Sequence, residues 1–290
     1  MMKFQKMLAA VAAGSVLLGV CSLGASADEV TTEGAMTFRT TVSKQYVKVS
    51  ELANSDMTLQ GNVFVDNYTG LASFKLSLGS DEPLTICNGG YTMPSFFEGQ
   101  ANSSSIYAQE NEDGTPTNVA LYYNDSQGIL PWPNSTIANP GGALLSFDVI
   151  VPQGTPAGVY KLGCQSGFKT NSIGLKEYYC FAKTAGGGDT DYAIQNAEII
   201  VEPNALLGDV NCDGSVDAID ATKVLQYFAG GMMGYDEDKR NEYFGTPYIH
   251  TALEAAQTQA DGVIDERDAV KILRYFAYHI VGTDVEWEDL

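Results

Sequence analysis

Asp209-Val210-Asn211-Cys212-Asp213-Gly214-Ser215-Val216-Asp217-Ala218-Ile219-Asp220 decides how the C-terminal part of the chain folds. Oxygen-bearing side chains fall at positions 1, 3, 5, 9 and 12 of this stretch, with Gly214 at position 6. That is the ligand spacing of an EF-hand-type calcium loop. A hard cation needs about six to eight oxygens, and alternate residues of a turning loop can aim theirs inward. Asp209, Asn211, Asp213 and Asp220 supply side-chain oxygen, Ser215 its backbone carbonyl, and Asp217 acts directly or through water. Gly214 permits the sharp turn. Position 12 departs from the EF-hand pattern, being Asp220 rather than a bidentate Glu. Ala221 to Phe228 are apolar at helical spacing, so a helix starts almost at once.

The loop and its helix recur forty-eight residues on. Asp220-Ala-Thr-Lys-Val-Leu-Gln-Tyr-Phe-Ala229 lines up with Asp268-Ala-Val-Lys-Ile-Leu-Arg-Tyr-Phe-Ala277, and Asp213-Gly-Ser-Val-Asp217 with Asp261-Gly-Val-Ile-Asp265. This is repetition of one supersecondary unit. In the second loop the candidate ligands are Gln257, Gln259, Asp261, the carbonyl of Val263, Asp265 and Asp268. The two Gln bring no charge where Asp209 and Asn211 stand in the first loop, and three carboxylates face four. The second loop is either a weaker calcium site or a calcium-free relic.

Two such loop-helix units with Asp at position 12 resemble a dockerin. The residues that carry the resemblance are Gly208 to Asp220 and Ala260 to Asp268, and it covers residues 204–290. Dockerins are small, all-α, calcium-binding modules of the cellulosome, an extracellular enzyme assembly, and they plug into cohesin domains. The resemblance implies a calcium cofactor and a scaffoldin cohesin as partner. It also implies that loop positions 10 and 11 and the helix face after them make the contact. Those positions are Ala218-Ile219 with Gln226 in one repeat, and Glu266-Arg267 with Arg274 in the other. One pair is apolar and one charged, so docking in a single orientation is expected.

The N-terminus reads as an address label. Lys3 and Lys6 form a basic segment, Met7 to Leu23 is mostly apolar, and Ala25-Ser26-Ala27 fits a signal-peptidase site. Cleavage after Ala27 would leave 263 residues and, with the two lysines gone, take the net charge from -20 to -22. The reading is a secreted chain held at the cell surface through a cellulosome. So acidic a surface repels nucleic acid and anionic membranes. Cys164 and Cys180 are either a pair or two unpaired core thiols, and four cysteines after cleavage are too few for a disulfide framework.

Residues 30–203 read as all-β. Phe74, Leu76 and Leu78 alternate with Ser73, Lys75 and Ser77, and Leu145 to Val151 repeats the pattern. Further strands are expected at 46–49, 59–65, 119–123, 159–162 and 193–201, separated by Gly, Pro, Asn and Asp. Many short strands with such punctuation mean a sandwich or barrel. Gly70 to Asp81, Ala120 to Ser126 and Leu145 to Tyr160 resemble a cohesin, which implies a nine-stranded jelly-roll sandwich that binds dockerins on one sheet face. Ser73, Lys75 and Ser77 are expected on that face, joined by Tyr107, Leu121 and Tyr123. A cohesin followed by a dockerin looks like a small adaptor scaffoldin, as in ruminococcal cellulosomes, and such a protein catalyses nothing.

Nucleophile, zinc and phosphate-loop motifs are missing, and the two histidines, His250 and His279, read as surface or interhelix residues. The acids of the β region sit in turn-like segments and read as solvated charge rather than a glycosidase pair. The rival reading is a carbohydrate-binding module carrying a dockerin, with Trp132, Tyr91, Phe96 and Phe97 as its stacking platform.

Overall fold

The computed structural model describes residues 36–67, 73–86, 104–110, 116–124, 143–170, 172–183 and 191–290. The expected signal segment 1–27 and the platform Tyr91, Phe96, Phe97 and Trp132 lie outside the described residues. The first strands are β1 (Thr37–Val42), β2 (Tyr46–Lys48), β3 (Met57–Asp66), β4 (Ser73–Ser80) and β5 (Thr85–Ile86). Next come β6 (Ser104–Glu110), β7 (Pro116–Asn124), β8 (Leu145–Val151) and β9 (Gly158–Cys164). The remaining strands are β10 (Phe168–Thr170), β11 (Lys176–Tyr178), β12 (Phe181–Lys183), β13 (Ala193–Gln195) and β14 (Ala197–Glu202).

They form a two-sheet sandwich, as the alternation predicts. One sheet runs β13-β1-β3-β8-β5; the other runs β2-β14-β9-β4-β7-β6, with β12 pairing beside β4. A separate hairpin joins β10 to β11. The two sheets hold twelve strands among the described residues, several only two or three residues long, where the resemblance implies nine. In β8 every second residue is buried, Leu145, Phe147, Val149 and Val151 facing in. β3 does the same with Leu59, Gly61, Val63 and Val65. Phe38, Phe74, Phe147, Leu76 and Leu162 are fully buried between the sheets. Gly61 has a packing reason: a Cβ there would lie 2.4 Å from the Phe147 ring.

The strand expected at 193–201 is two strands. Between them Asn196 donates its side-chain amide to the Cys164 carbonyl (3.2 Å), and the chain passes from β1's sheet to β9's. Cys164 and Cys180 are free buried thiols. Their mutual hydrogen bond and burial push the Cys164 thiol well up, which keeps it protonated.

β4 corrects the sequence reading. All of Phe74 to Gly79 is buried, although only every second residue is apolar. Lys75 is 7% exposed and Ser77 3%, so neither is an outward docking residue. The strand is interior, with β7 on one edge and β12 then β9 on the other. Leu121 and Tyr123 pair in register with Leu76 and Phe74, and their side chains lie outside the described residues. Tyr107 pairs in register with Ala120, and its side chain likewise lies outside the described residues. Ser73 pairs with Asn124 and Lys183. Burial thus removes Lys75 and Ser77 from the expected docking face.

After Glu202 the chain turns all-helical, with α1 (Ala218–Met232), α2 (Glu237–Asn241), α3 (Ile249–Ala256) and α4 (Glu266–Ile280). α1 packs on α4, and Val224, Tyr227, Phe244, Ala252 and Ile272 belong to one shared core. Trp287 stacks on Tyr275 with ring centres 4.3 Å apart, folding the last residues back onto α4. Among the described residues no helix is long and apolar enough to cross a membrane.

The two halves meet directly. Glu202, 1% exposed, accepts a hydrogen bond from the His250 backbone N–H (2.9 Å), and its other oxygen lies 3.2 Å from His250 Nδ1. Thr251 Oγ1 donates to the Pro203 carbonyl (2.9 Å), Tyr46 packs edge-on against the His250 ring, and Lys48 pairs with Glu254. All the groups on the helical side belong to α3, the helix between the two repeats.

Candidate metal loops and docking faces

Loop one is wound around its own carboxylates. Asp209 accepts from the N–H groups of Asp213 (3.1 Å) and Gly214 (2.9 Å), and Asp213 from that of Ser215 (3.0 Å). Asn211 Oδ1 accepts from Asp213 N–H (3.0 Å). Asp217 is the N-cap of α1 and accepts from Ile219 N–H (2.6 Å). Asp220 reaches back from the first turn of α1 to take the N–H groups of Val210 (3.0 Å), Asn211 (3.3 Å) and Asp217 (2.8 Å). Each carboxylate has lone pairs to spare after these bonds. Gly214 has φ +90°, the left-handed turn that its place at position 6 demands.

Loop two has the same backbone. Position 4 is left-handed in both, at Cys212 (φ 58°) and Ala260 (φ 53°), and position 6 is Gly262 with φ +80°. Asp268 repeats Asp220, accepting from Gln259 N–H (3.0 Å) and Asp265 N–H (3.0 Å), and Asp265 caps α4. Asp261 accepts from Val263 N–H (3.0 Å), while Gln257 is the C-cap of α3 and Gln259 is exposed.

The electrostatics of the loops differ. Asp209 is 4% exposed and Asp220 fully buried. Burial pushes Asp220 up to about 6, and the Asp209 charge adds to the rise. Burial also raises Asp209, with Asp213 adding to it. The charges acting on this pair are those of other carboxylates, the condition a divalent cation relieves. In loop two the Arg267 guanidinium holds the Asp265 carboxyl below its usual range. Among the described residues no three carboxylate, histidine or cysteine groups converge as a ready-made cage. The donor set of loop one nonetheless fits a hard cation, since the Asp, Asn and backbone groups it offers are all oxygen donors.

Residues 207–277 match the dockerin type I domain. The chain thus joins a β-sandwich to a dockerin module. Solved structures similar to the chain include three cohesins. The third ScaB cohesin of R. flavefaciens, in complex with a group 1 dockerin, is 20% identical over 58% of this chain and 94% of that chain, with TM-score 0.35. The type III cohesin from the ScaE cell-surface anchoring scaffoldin of Ruminococcus flavefaciens is 15% identical, covering 62% and 97%, with TM-score 0.37. The seventh ScaB type I cohesin of Pseudobacteroides cellulosolvens is 16% identical, covering 60% and 96%, with TM-score 0.34. Among curated protein sequences nothing matches.

On the dockerin module Ala218, Ile219, Gln226, Glu266, Arg267 and Arg274 are all exposed, Ile219 at 54%. Around them Leu225, Val270 and Leu273 also reach solvent. On the sandwich, among the described residues, one accessible sheet face is formed by β1, β3 and β8. Arg39 there pairs with Asp66 through two hydrogen bonds and lies over the Phe64 ring at 5.0 Å, beside exposed Gln60 and the Asn62–Ser146 hydrogen bond. The signal for this face was the outward half of 57–66, the polar Thr58, Gln60 and Asn62 with Phe64, which alternates with its buried half.

Proposed function

We propose that this protein is a secreted, non-catalytic adaptor of a cellulosome, divided into a cohesin at 30–203 and a dockerin at 204–290 behind a cleaved signal. The dockerin docks into a cohesin of another scaffoldin, and the β-sandwich receives the dockerin of an enzyme or other component. The observation that carries this reading is the dockerin type I match over a loop-helix repeat whose α1 and α4 faces expose Ile219, Leu225, Val270 and Leu273. Accessible apolar residues in a polar frame suit a partner surface. For the sandwich, support comes from the cohesin-like stretches 70–81, 120–126 and 145–160. Its receiving surface is the accessible face of β1, β3 and β8, where an Arg stacked on an aromatic offers the residue types that anchor partners.

Calcium belongs to loop one, held by Asp209, Asn211, Asp213, the Ser215 carbonyl, Asp217 and Asp220. It supplies the positive charge that lets two buried carboxylates share one loop, so metal binding is part of the module's folding free energy. The test is a binding screen of the full-length chain against panels of cohesins, dockerins and soluble glucans. Docking of a foreign dockerin, weakened about tenfold or more by Phe64→Ala, supports the adaptor. Glucan binding without dockerin binding favours the carbohydrate-binding alternative, and hydrolysis of any glucan overturns the non-catalytic assignment.

A further inference from the structure

The two repeats share a backbone, but position 11 is Ile219 in one loop and Arg267 in the other. The Arg267 side chain folds back over its own loop. Its Nη2 lies 2.8 Å from Asp261 Oδ2 and 2.7 Å from Asp265 Oδ2, while Nε lies 3.0 and 3.2 Å from the two Asp265 oxygens. One guanidinium thus bridges positions 5 and 9, two of the oxygen donors a metal would need. Positions 1 and 3 of that loop are the uncharged Gln257 and Gln259, and Gln257 closes the last turn of α3.

We propose that the second loop is closed by Arg267 in place of a metal, so that the protein binds one calcium ion, in the first loop. The inference rests on the calcium reading of loop one given above. Three features act together. The guanidinium occupies the oxygens of Asp261 and Asp265 by charge-assisted hydrogen bonds. Its fixed positive charge repels an incoming divalent ion. Asp268 is the one ligand carboxylate that Arg267 does not touch, and its oxygens accept from the N–H groups of Gln259 and Asp265 and from the Thr258 hydroxyl. Ligand charge sets affinity in such loops over several orders of magnitude, so the loss of one charged donor and the gain of a cation push loop two out of the calcium-binding range. Arg267 therefore has a positioning role: its guanidinium ties Asp261 to Asp265, the N-cap of α4.

The experiment counts calcium on the chelated, full-length protein by native mass spectrometry and titration calorimetry. One ion per chain is expected, with affinity reduced by about a hundredfold or more in Asp209→Ala and by less than about threefold in Asp261→Asn. The triple change Arg267→Ala, Gln257→Asp, Gln259→Asn should bind a second ion. In Arg267→Ala alone, measured at saturating calcium, amide exchange should quicken over 261–269 and stay unchanged over 209–221. Two ions on the unaltered chain, or unchanged exchange in Arg267→Ala, would overturn the inference while leaving calcium in loop one intact. No ion at all would instead overturn the calcium reading and this inference with it.

Discussion

Asp220 accepts hydrogen bonds from Val210, Asn211 and Asp217, so one carboxylate ties both ends of loop one to the first turn of α1. With Asp209 beside it and both buried, the loop carries charge that the fold alone does not neutralise. Chelation is therefore expected to remove helical circular dichroism from the dockerin module and leave the β-sheet signal in place. A spectrum and melting curve indifferent to chelator would refute this. Asp209→Ala should mimic chelation, and Gln257→Ala should not. Ile219 belongs to the same loop but points its side chain to solvent, so Ile219→Asp should leave the melting temperature within about 2 °C while weakening cohesin docking by about a hundredfold or more. Docking measured by calorimetry at full strength in that variant would remove Ile219 from the contact. The ligand residues of loop one were legible because their spacing is local. Arg267's role was not, since position 11 reads as a surface residue until the geometry brings its guanidinium onto Asp261 and Asp265.

At the scale of elements, alternation found β3, β4, β8 and β9 because each sets a run of large apolar residues against polar ones. β1 was missed: in Thr37–Val42 the inward residues are Phe38 and Thr40, and a threonine carries no apolar signal. The same rule misplaced Lys75 and Ser77, since alternation tells the two faces apart but not whether the polar one is covered. That depends on parts of the chain distant in sequence, which periodicity within one strand does not carry. The β3–β8 pair offers a sharp test of the sandwich packing. Gly61 stands opposite Phe147, whose ring fills the space a side chain would take. Gly61→Ala should destabilise the sandwich by about 1–3 kcal/mol through overpacking, and Phe147→Ala by about 3–5 kcal/mol through a cavity. Denaturant unfolding followed by the β-sheet signal measures both, and a neutral Gly61→Ala would mean that β3 and β8 are paired differently.

Across the whole molecule the expected division into a sandwich and a helical repeat was readable from two hydrophobic periods, two in one half and about 3.6 in the other. How the halves meet was not, because Tyr46, Lys48, Glu202 and His250 carry no motif and are far apart in sequence. Glu202→Ala should release α3 from the sandwich: it strands the His250 N–H and costs about 1–3 kcal/mol of contact between the halves. The expected result is faster proteolysis at 203–208 and a broader distribution of shapes in solution scattering, with both halves still folded. Unchanged proteolysis would show that Thr251 and Lys48 suffice to hold the joint. The clasp around Glu202 has a further effect when such chains are strung together, each docked into the next. A loose tether would let every link point anywhere, giving a random coil of modules. A fixed joint repeats one rotation and one translation at each step, so the string either closes into a ring or winds into a helix of constant pitch, and the hydrogen bond from His250 to Glu202 helps set which.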